Sequence, residues 1–160
     1  MSRDDQRSRE FEEFAVARTP QLYRSAYLLC GDRYGAEDLV QETLAKVFVK
    51  WRGIDNPAAY AQTTLVRTFL SHRRRRSSQE LPYADLPDSP TVDPTEAADL
   101  RLGLQEVLDG LAPLDRAVLV LRYSEDLGVA EVADRLGLSP GAVKNRTMRA
   151  LARARERATR

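Results

Sequence analysis

Residues 129–156, VAEVADRLGLSPGAVKNRTMRALARARE, contain the pattern of two helices joined by a tight turn. Ala133 is small, so two helices can cross closely at this position. Gly137 can adopt the backbone conformation that a tight turn between helices requires. Ser139 can cap the second helix, with Pro140 in its first helical position. The stretch therefore predicts a helix-turn-helix.

The side chains of this stretch separate into an apolar face and a basic face. The expected inward residues are Val132, Leu136, Leu138, Val143 and Leu151. The expected outward residues of the second helix are Lys144, Asn145, Met148 and Arg149, with Arg146 and Arg153 beside them. A helix fits the major groove, where Arg, Lys and Asn can donate to base edges, whereas flanking arginines contact phosphates. We therefore favour DNA binding over a helical hairpin with a solvated basic face, and interpret the last arginines (155, 157 and 160) as a solvated tail.

The charge of the chain is nearly balanced but unevenly distributed. Its 160 residues include 25 Lys and Arg against 24 Asp and Glu, and 42% are hydrophobic. A protein that coats nucleic acid without selectivity would be far more basic. The basic residues cluster at Arg73–Arg76 and in the C-terminal helix. This distribution indicates local DNA contact together with other partners.

An acidic, proline-rich segment at residues 77–97 divides the chain. It contains no Lys or Arg, and its acids and prolines are Glu80, Asp85, Asp88, Asp93, Glu96, Pro82, Pro87, Pro90 and Pro94. Proline removes a backbone donor and disfavours helix in the preceding residue. The segment is therefore predicted to be a flexible linker between domains at 10–76 and 98–158.

Both domains have helical periodicity, and neither has a convincing strand pattern. We predict an all-α fold of two small helical domains joined by the acidic, proline-rich linker. Thr19-Pro20 is expected to end one helix and start the next, which stops at Gly31. A further helix from Tyr34 to Trp51 carries an apolar stripe of Leu39, Val40, Leu44, Val47 and Phe48. Pro57 and Pro113 are each expected to start a helix.

Catalytic motifs are absent from the sequence. His72 is the only histidine and adjoins arginines, so a phosphate contact or a solvated side chain is favoured over a general base. The sequence has no Cys/His cluster for zinc, no P-loop and no GxSxG motif. We therefore expect no enzyme activity, no cofactor, no metal and no small-molecule substrate.

The location of the protein is also constrained. Cys30, the single cysteine, cannot form an intramolecular disulfide, which fits a reducing cytoplasm and a small buried apolar side chain. No apolar run approaches the roughly 18 residues that a membrane span needs. The charged N-terminus does not resemble a secretion signal. A cytoplasmic protein with no membrane contact is therefore expected.

Four segments together resemble the extracytoplasmic-function (ECF) sigma factors, the smallest group of the sigma-70 family, and in particular an actinobacterial SigE-like branch. They are FEEFAVARTPQLYRSAYLLCGD from residue 11, AEDLVQETLAKVFVKW from residue 36, the stretch ending in SHRRRR at residue 76, and LAPLDRAVLVLRYSEDLGVAEVADRLGLSPGAVKNRTMRAL from residue 111. The likeness covers nearly the whole chain except the first ten residues and the linker. It implies a sigma factor that binds core RNA polymerase and directs promoter-specific initiation, with sigma2-like and sigma4-like domains at 10–76 and 98–158.

The resemblance also implies an interface with the polymerase. In the family, the helix similar to residues 35–51 docks on the clamp helices of core RNA polymerase. The matching positions are Asp38, Gln41, Glu42, Leu44 and Lys46. The residues alone would favour a solvated acidic face, formed by Glu37, Asp38 and Glu42.

Two DNA interfaces follow from the same resemblance. The loop 52–57 and the helix 58–76 resemble the part that melts and recognises the minus-10 element, where a base flips out of the duplex. The candidate minus-10 residues are Asp55, Asn56, Arg67, Ser71, Arg73, Arg74, Arg75 and Arg76. Trp51 and Tyr60 could stack on bases, although packing is favoured for Trp51. The candidate minus-35 residues are Lys144, Asn145, Arg146, Met148 and Arg149.

The expected partners are core RNA polymerase, promoter DNA and, as for many relatives, an anti-sigma factor that clamps both domains. The linker would, by resemblance, thread into the polymerase towards its active site; a plain flexible tether is the alternative. The main alternative for the whole chain is a helix-turn-helix transcriptional regulator with a helical sensor or dimerisation domain. A third interpretation is an interaction protein, such as an inactive sigma-like decoy.

Overall fold

A computed structural model describes residues 2–78 and 96–158. Every regular element in these ranges is helical, which confirms the predicted all-α class. The α-helices are α1 (Arg3–Cys30), α2 (Arg33–Lys50), α3 (Pro57–Ser78), α4 (Glu96–Asp109), α5 (Pro113–Leu119), α6 (Val129–Leu136) and α7 (Pro140–Ala158). A 3-10 turn at Trp51–Gly53 follows α2, and a π turn at Val120–Ser124 follows α5.

The chain divides into two compact units, and the boundary between them along the sequence falls after Phe69, within α3. Most of the predicted linker, residues 77–97, lies outside the described residues. Its two ends are helical, because α3 continues to Ser78 and α4 begins at Glu96. The described part of the chain contains no helix that is both long and apolar enough to cross a membrane.

The first unit has a core of apolar side chains from α1, α2 and α3. The buried residues are Leu22, Ala26, Leu29, Ala36, Leu39, Val40, Val47, Ala61, Leu65, Val66 and Phe69. On α2 the predicted stripe is only partly buried, because Leu44 and Phe48 lie at its margin, half-exposed. Thr43 takes the central place between Leu39 and Val47, and its hydroxyl is satisfied by donating to the Leu39 carbonyl at 2.7 Å.

Helix α1 passes through Pro20 without a break, so the prediction of two helices meeting at Thr19-Pro20 is wrong. Proline cannot donate to the carbonyl four residues earlier, that of Val16. Val16 is 78% exposed, so water can satisfy this carbonyl. The Thr19 hydroxyl donates to the Ala15 carbonyl at 2.6 Å. The burial of Leu22 and the apolar residues after it outweighs the local cost of the proline.

The turn between α1 and α2 agrees with the sequence prediction. Gly31 has a φ of 81°, in the left-handed region, and its N–H donates to the Tyr27 carbonyl. Asp32 then caps α2, because its carboxylate accepts from the Gly35 N–H at 2.6 Å. The two helices therefore return antiparallel to each other with their apolar faces in contact.

The second unit contains the predicted helix-turn-helix, formed by α6 and α7. Ala133 is buried at 4% exposure, and Gly137 makes the turn with a φ of 67°. The Ser139 hydroxyl accepts from the Ala142 N–H at 3.1 Å and so caps α7. Val132 and Val143 are fully buried between the two helices, whereas Leu136, Leu138 and Leu151 are half-buried.

A buried arginine closes the end of α4. Arg116 is only 3% exposed, and its guanidinium donates to the carbonyls of Asp109 at 3.3 Å and Leu111 at 3.1 Å. These carbonyls end or follow α4, where no further helical N–H is available to them. The hydrogen bonds of Arg116, a residue of α5, therefore connect this helix to the end of α4. The spacing of apolar residues in the sequence does not predict this contact.

Candidate functional site

The outer face of α7 is formed by the residues that the sequence predicted. Val143, Thr147 and Ala150 are buried on its inner side. The side chains of Lys144, Asn145, Met148 and Arg149 are exposed on the outer side, Met148 at 71%. Four neighbouring polar, cationic and apolar side chains are thereby presented to solvent by one rigid helix.

Two arginines of α7 share a buried carboxylate. Asp115, in the first turn of α5, is 3% exposed. Its Oδ1 atom accepts from Arg146 Nη1 at 2.9 Å and lies 3.5 Å from Arg149 Nη2. The Arg146 side chain is 31% exposed and that of Arg149 is 60% exposed. Asp115 was not predicted from the sequence, because the favourable charge interaction with the helix N-terminus is by itself enough to explain an acid in the first turn.

Arg157, one of the arginines expected to form a solvated tail, contacts a second helix. Arg157 Nη1 donates to the carbonyl of Glu106 on α4 at 3.1 Å, so this expectation is wrong for Arg157. Arg153 is exposed, as a phosphate contact requires. Arg160 lies outside the described residues.

Helix α3 aligns some of the predicted minus-10 residues and separates others. A helix turns about 100° per residue, so Arg67, Ser71 and Arg74 follow Tyr60 along one side. Of these, Arg67 and Arg74 are exposed and Ser71 is half-buried. Arg75 lies on the flank of this row. Four consecutive arginines cannot share one face, and Arg73 and Arg76 lie on the side of the buried residues Phe69 and Val66.

The loop before α3 has a structural function as well as a predicted one. The Oδ1 atom of Asn56 accepts from the Ala59 N–H at 3.2 Å, so Asn56 caps α3. Asp55 is exposed beside it. One of the two predicted base contacts in this loop therefore already has its side-chain oxygen in a hydrogen bond.

A cavity of about 510 Å³ lies beside this loop, within the first unit. Its lining residues are Arg3, Gln6, Arg7, Glu10, Trp51, Arg52, Ile54 and Pro57. Arg7 lies over the Phe48 ring, 4.5 Å from its centroid, and donates to the Phe48 carbonyl at 2.6 Å. The lining combines arginines with the edge of an aromatic cluster, as a site for a flat anionic ligand would.

Trp51 is part of that aromatic cluster. Its ring lies 5.5 Å from Phe11 in an edge-to-face arrangement and 5.2 Å from Phe14. Phe11 in turn contacts Phe48 at 4.9 Å. The favoured interpretation of Trp51 as a packing residue is therefore confirmed. The aromatic pairs stabilise the packing of the first half of α1 against the C-terminal end of α2.

The solvent-facing side of α2 is both polar and apolar. Asp38 and Gln41 are exposed, and Glu42 lies 3.9 Å from Lys46, one turn later. Tyr34 and Val49 extend this row at its two ends and are 77% and 71% exposed. Leu44 lies at the margin of the core and is only half-buried. This face of α2 therefore offers polar side chains along its length and one exposed large apolar side chain at each end.

Glu37 influences two groups at the start of α2. Its hydrogen bond, at 3.1 Å, raises the pKa of Arg33. Burial, and then the negative charge of Glu37, raise the pKa of the Tyr23 hydroxyl, which therefore stays protonated at neutral pH. Neither Arg33 nor Tyr23 therefore changes charge near neutral pH.

Other candidates have no site geometry. His72 is exposed, and the Cys30 side chain is half-buried rather than fully buried as expected. Within the described ranges no three His, Cys, Asp or Glu side chains are grouped as metal ligands would be.

Comparison with known proteins covers both units. Sigma-70 region 2 matches residues 5–79, and sigma-70 region 4 matches residues 101–153. The RNA polymerase sigma-E factor of Streptomyces coelicolor is 41% identical over 150 residues, which cover 92% of this chain and 85% of that protein. The ECF RNA polymerase sigma factor SigL of Mycobacterium tuberculosis is 32% identical over 133 residues, covering 78% of this chain and 75% of SigL.

Solved structures agree with these relatives. The sigma factor RpoE of Bartonella quintana, crystallised with the anti-sigma factor NepR, superposes with a TM-score of 0.76. The two chains are 26% identical, and the match covers 94% of this chain and 97% of RpoE. CnrH, solved with the cytosolic domain of CnrY, has the same fold at a TM-score of 0.65 and 21% identity.

Proposed function

The chain belongs to the ECF sigma factors of the sigma-70 family, and from this premise we propose which of its surfaces bind promoter DNA and core RNA polymerase. As a sigma factor it binds core RNA polymerase and directs promoter-specific initiation of transcription. The sigma2-like domain is assigned to residues 10–76 and the sigma4-like domain to residues 98–158.

The outer face of α7 is assigned to the minus-35 element. Lys144, Asn145, Met148 and Arg149 would enter the major groove, with Arg149 donating to a guanine edge. This assignment is supported by the exposure of all four side chains on one side of α7, the second helix of the helix-turn-helix. Arg146 is assigned to phosphate contact and to the ion pair with Asp115.

The exposed row of α3 is assigned to the minus-10 element. Arg67, Ser71 and Arg74 would follow one strand, with Asp55 and Asn56 at the end where the helix begins. Arg75 adds positive charge on the flank of this row, and Arg73 and Arg76 add it on the other side of the helix. The cavity at Arg7 and Trp51 is a candidate receptor for an extruded base, since cationic and aromatic groups bind unstacked nucleotides.

The exposed face of α2 is assigned to core RNA polymerase. Asp38, Gln41 and Glu42 are its polar contacts, and Tyr34 and Val49 are its apolar ones. Lys46 and Leu44 lie at its edge, and Lys46 also supports α3. This exposed polar and apolar face is the single observation that most supports a protein partner for α2, and the family membership identifies core RNA polymerase as that partner.

An anti-sigma factor is a further proposed partner. The likeness to RpoE, solved with an anti-sigma factor, supports this. Such a protein would act by covering the same α2 face. We assign the protein to the cytoplasm, where core polymerase and promoter DNA are located, and assign it no catalytic activity of its own.

Run-off transcription with sigma-free core polymerase on a promoter library tests these assignments. Transcripts that depend on the protein, with start sites preceded by two shared elements, are the expected result. If the protein alone shifts duplex DNA and gives no transcript with core polymerase, the surfaces instead belong to a helix-turn-helix regulator with a helical sensor or dimerisation domain.

A further inference from the structure

We propose that Asp115 is a positioning residue that orients Arg149, together with Arg146, for base recognition by α7. The inference rests on the proposed contact between α7 and the minus-35 element. Asp115 itself would not contact DNA, because it is only 3% exposed and belongs to α5.

The first support is the burial of the carboxylate. Asp115 is buried in the interface between α5 and α7, so its carboxylate oxygens keep one position when the arginine side chains move. The Oδ1 atom is a fixed acceptor at 2.9 Å from Arg146 Nη1 and 3.5 Å from Arg149 Nη2. A fixed acceptor restricts the rotamers of both arginines before DNA arrives.

The second support is the unequal engagement of the two arginines. Arg146 makes the shorter contact and is 31% exposed, which makes it an anchor. Arg149 makes the longer contact and its side chain is 60% exposed, so much of it remains accessible on the outer side of α7. The carboxylate therefore orients the Arg149 side chain and still leaves it able to bind DNA.

The third support is charge. Arg146 and Arg149 are three residues apart and lie side by side on α7, where two cations repel each other. The single carboxylate between them offsets this repulsion. A guanidinium that is already oriented loses less conformational freedom on binding, and a preorganised donor discriminates base edges more strongly.

The competing explanation is purely structural. Asp115 could serve only to fasten α5 to α7 through Arg146. Its loss would then lower stability and reduce transcription equally from all promoters. A positioning function instead predicts a loss of selectivity at one base pair, which a fastening function would not change.

The test uses holoenzyme assembled from core polymerase and the full chain, on promoters randomised in the minus-35 element. Asp115→Asn keeps the shape of the side chain and removes its charge. We expect base preference at the Arg149 position to relax by about fivefold, the lower end for one bidentate contact. Preference at the minus-10 element should stay unchanged. Glu131→Gln, which removes the ion pair between the half-exposed Glu131 and the largely buried Arg135 on α6, is the matched control.

The double variant decides whether Asp115 acts through Arg149. In an Arg149→Ala background, Asp115→Asn should cause no further loss of preference, because the side chain that it orients is gone. Unchanged preference in the folded single variant, or an equal additional loss in the Arg149→Ala background, would overturn the inference. If Asp115→Asn does not fold, Asp115→Glu replaces it; this variant keeps the charge but displaces it by one methylene, and unchanged preference there would have the same meaning.

Different results would contradict the base contact of Arg149 and the positioning function of Asp115. If Arg149→Ala leaves the minus-35 preference intact, Arg149 does not recognise a base of that element, and Asp115 loses its proposed function with it. If Arg149→Ala relaxes the preference and Asp115→Asn does not, only the positioning function of Asp115 is excluded.

Discussion

Lys46 on α2 and Thr68 on α3 are joined by a hydrogen bond of 3.0 Å between Nζ and Oγ1. Thr68 is buried at 3% exposure, whereas the Lys46 side chain is half-exposed. The bond connects the helix assigned to the polymerase with the helix assigned to the minus-10 element. Lys46 thus has a structural function that the family resemblance alone would not assign.

Lys46→Met should therefore lower the free energy of unfolding by about 1 kcal/mol, because a buried hydroxyl loses its charged partner. Urea denaturation measures the change. In a Thr68→Val background the same substitution should cost much less. If Lys46→Met lowers the free energy of unfolding equally in both backgrounds, the hydrogen bond does not contribute to stability.

Alanine at Asp38 and Glu42 should weaken core polymerase binding by about tenfold, which corresponds to roughly 1.4 kcal/mol, and leave helical content intact. Both side chains lie on the solvent side of α2. Affinity for fluorescently labelled core polymerase measures the effect. Alanine at Glu12 and Glu13, exposed on α1, is the charge-matched control. Equal affinity of both variants would identify the acidic row as a solvated face.

Arg149→Ala should reduce transcription most on promoters that carry the preferred minus-35 base, by roughly 1–3 kcal/mol for a lost bidentate contact. Arg153→Ala should weaken all promoters alike, because a phosphate contact carries no sequence information. Competitive transcription from paired promoters separates the two patterns. The role assigned to Arg149 is refuted by an unaltered promoter preference.

Arg74→Ala should weaken promoter opening more than Arg76→Ala does. Arg74 continues the exposed row of α3, whereas Arg76 lies on the other side of the helix. Loss of one phosphate contact should also reduce the dependence of log K on log salt concentration by about one. Permanganate footprinting of the melted region at several salt concentrations measures both effects. Equal losses for the two variants would mean that the helix face does not determine the contact.

Gly137→Ala should lower the free energy of unfolding by about 1–2 kcal/mol, since an L side chain is strained at a φ of 67°. Gly103→Ala is the contrasting control: this helical glycine is open to solvent, so alanine there should stabilise by about 0.5–1 kcal/mol. Thermal unfolding followed by circular dichroism measures both. A neutral Gly137→Ala would contradict the conformational requirement of the turn.

The sequence by itself determined the class of the fold and the position of the helix-turn-helix. Gly31, Gly137, Ser139 and Pro140 act through their own backbone neighbours, so their effects can be predicted from local chemistry. Apolar spacing likewise placed the buried side of α2 and the outer residues of α7. The family resemblance then indicated which helices serve the polymerase and the promoter.

Only the tertiary structure decided how distant residues meet. Pro20 is tolerated within α1 because the core on the opposite side holds the helix together, which no local rule takes into account. Arg157 reaches the carbonyl of Glu106, 51 residues earlier in the chain. Asp115 meets Arg146 across 31 residues, because α5 and α7 pack against each other. Such pairs depend on how helices cross, and sequence periodicity specifies which side of a helix is buried but not what lies against it.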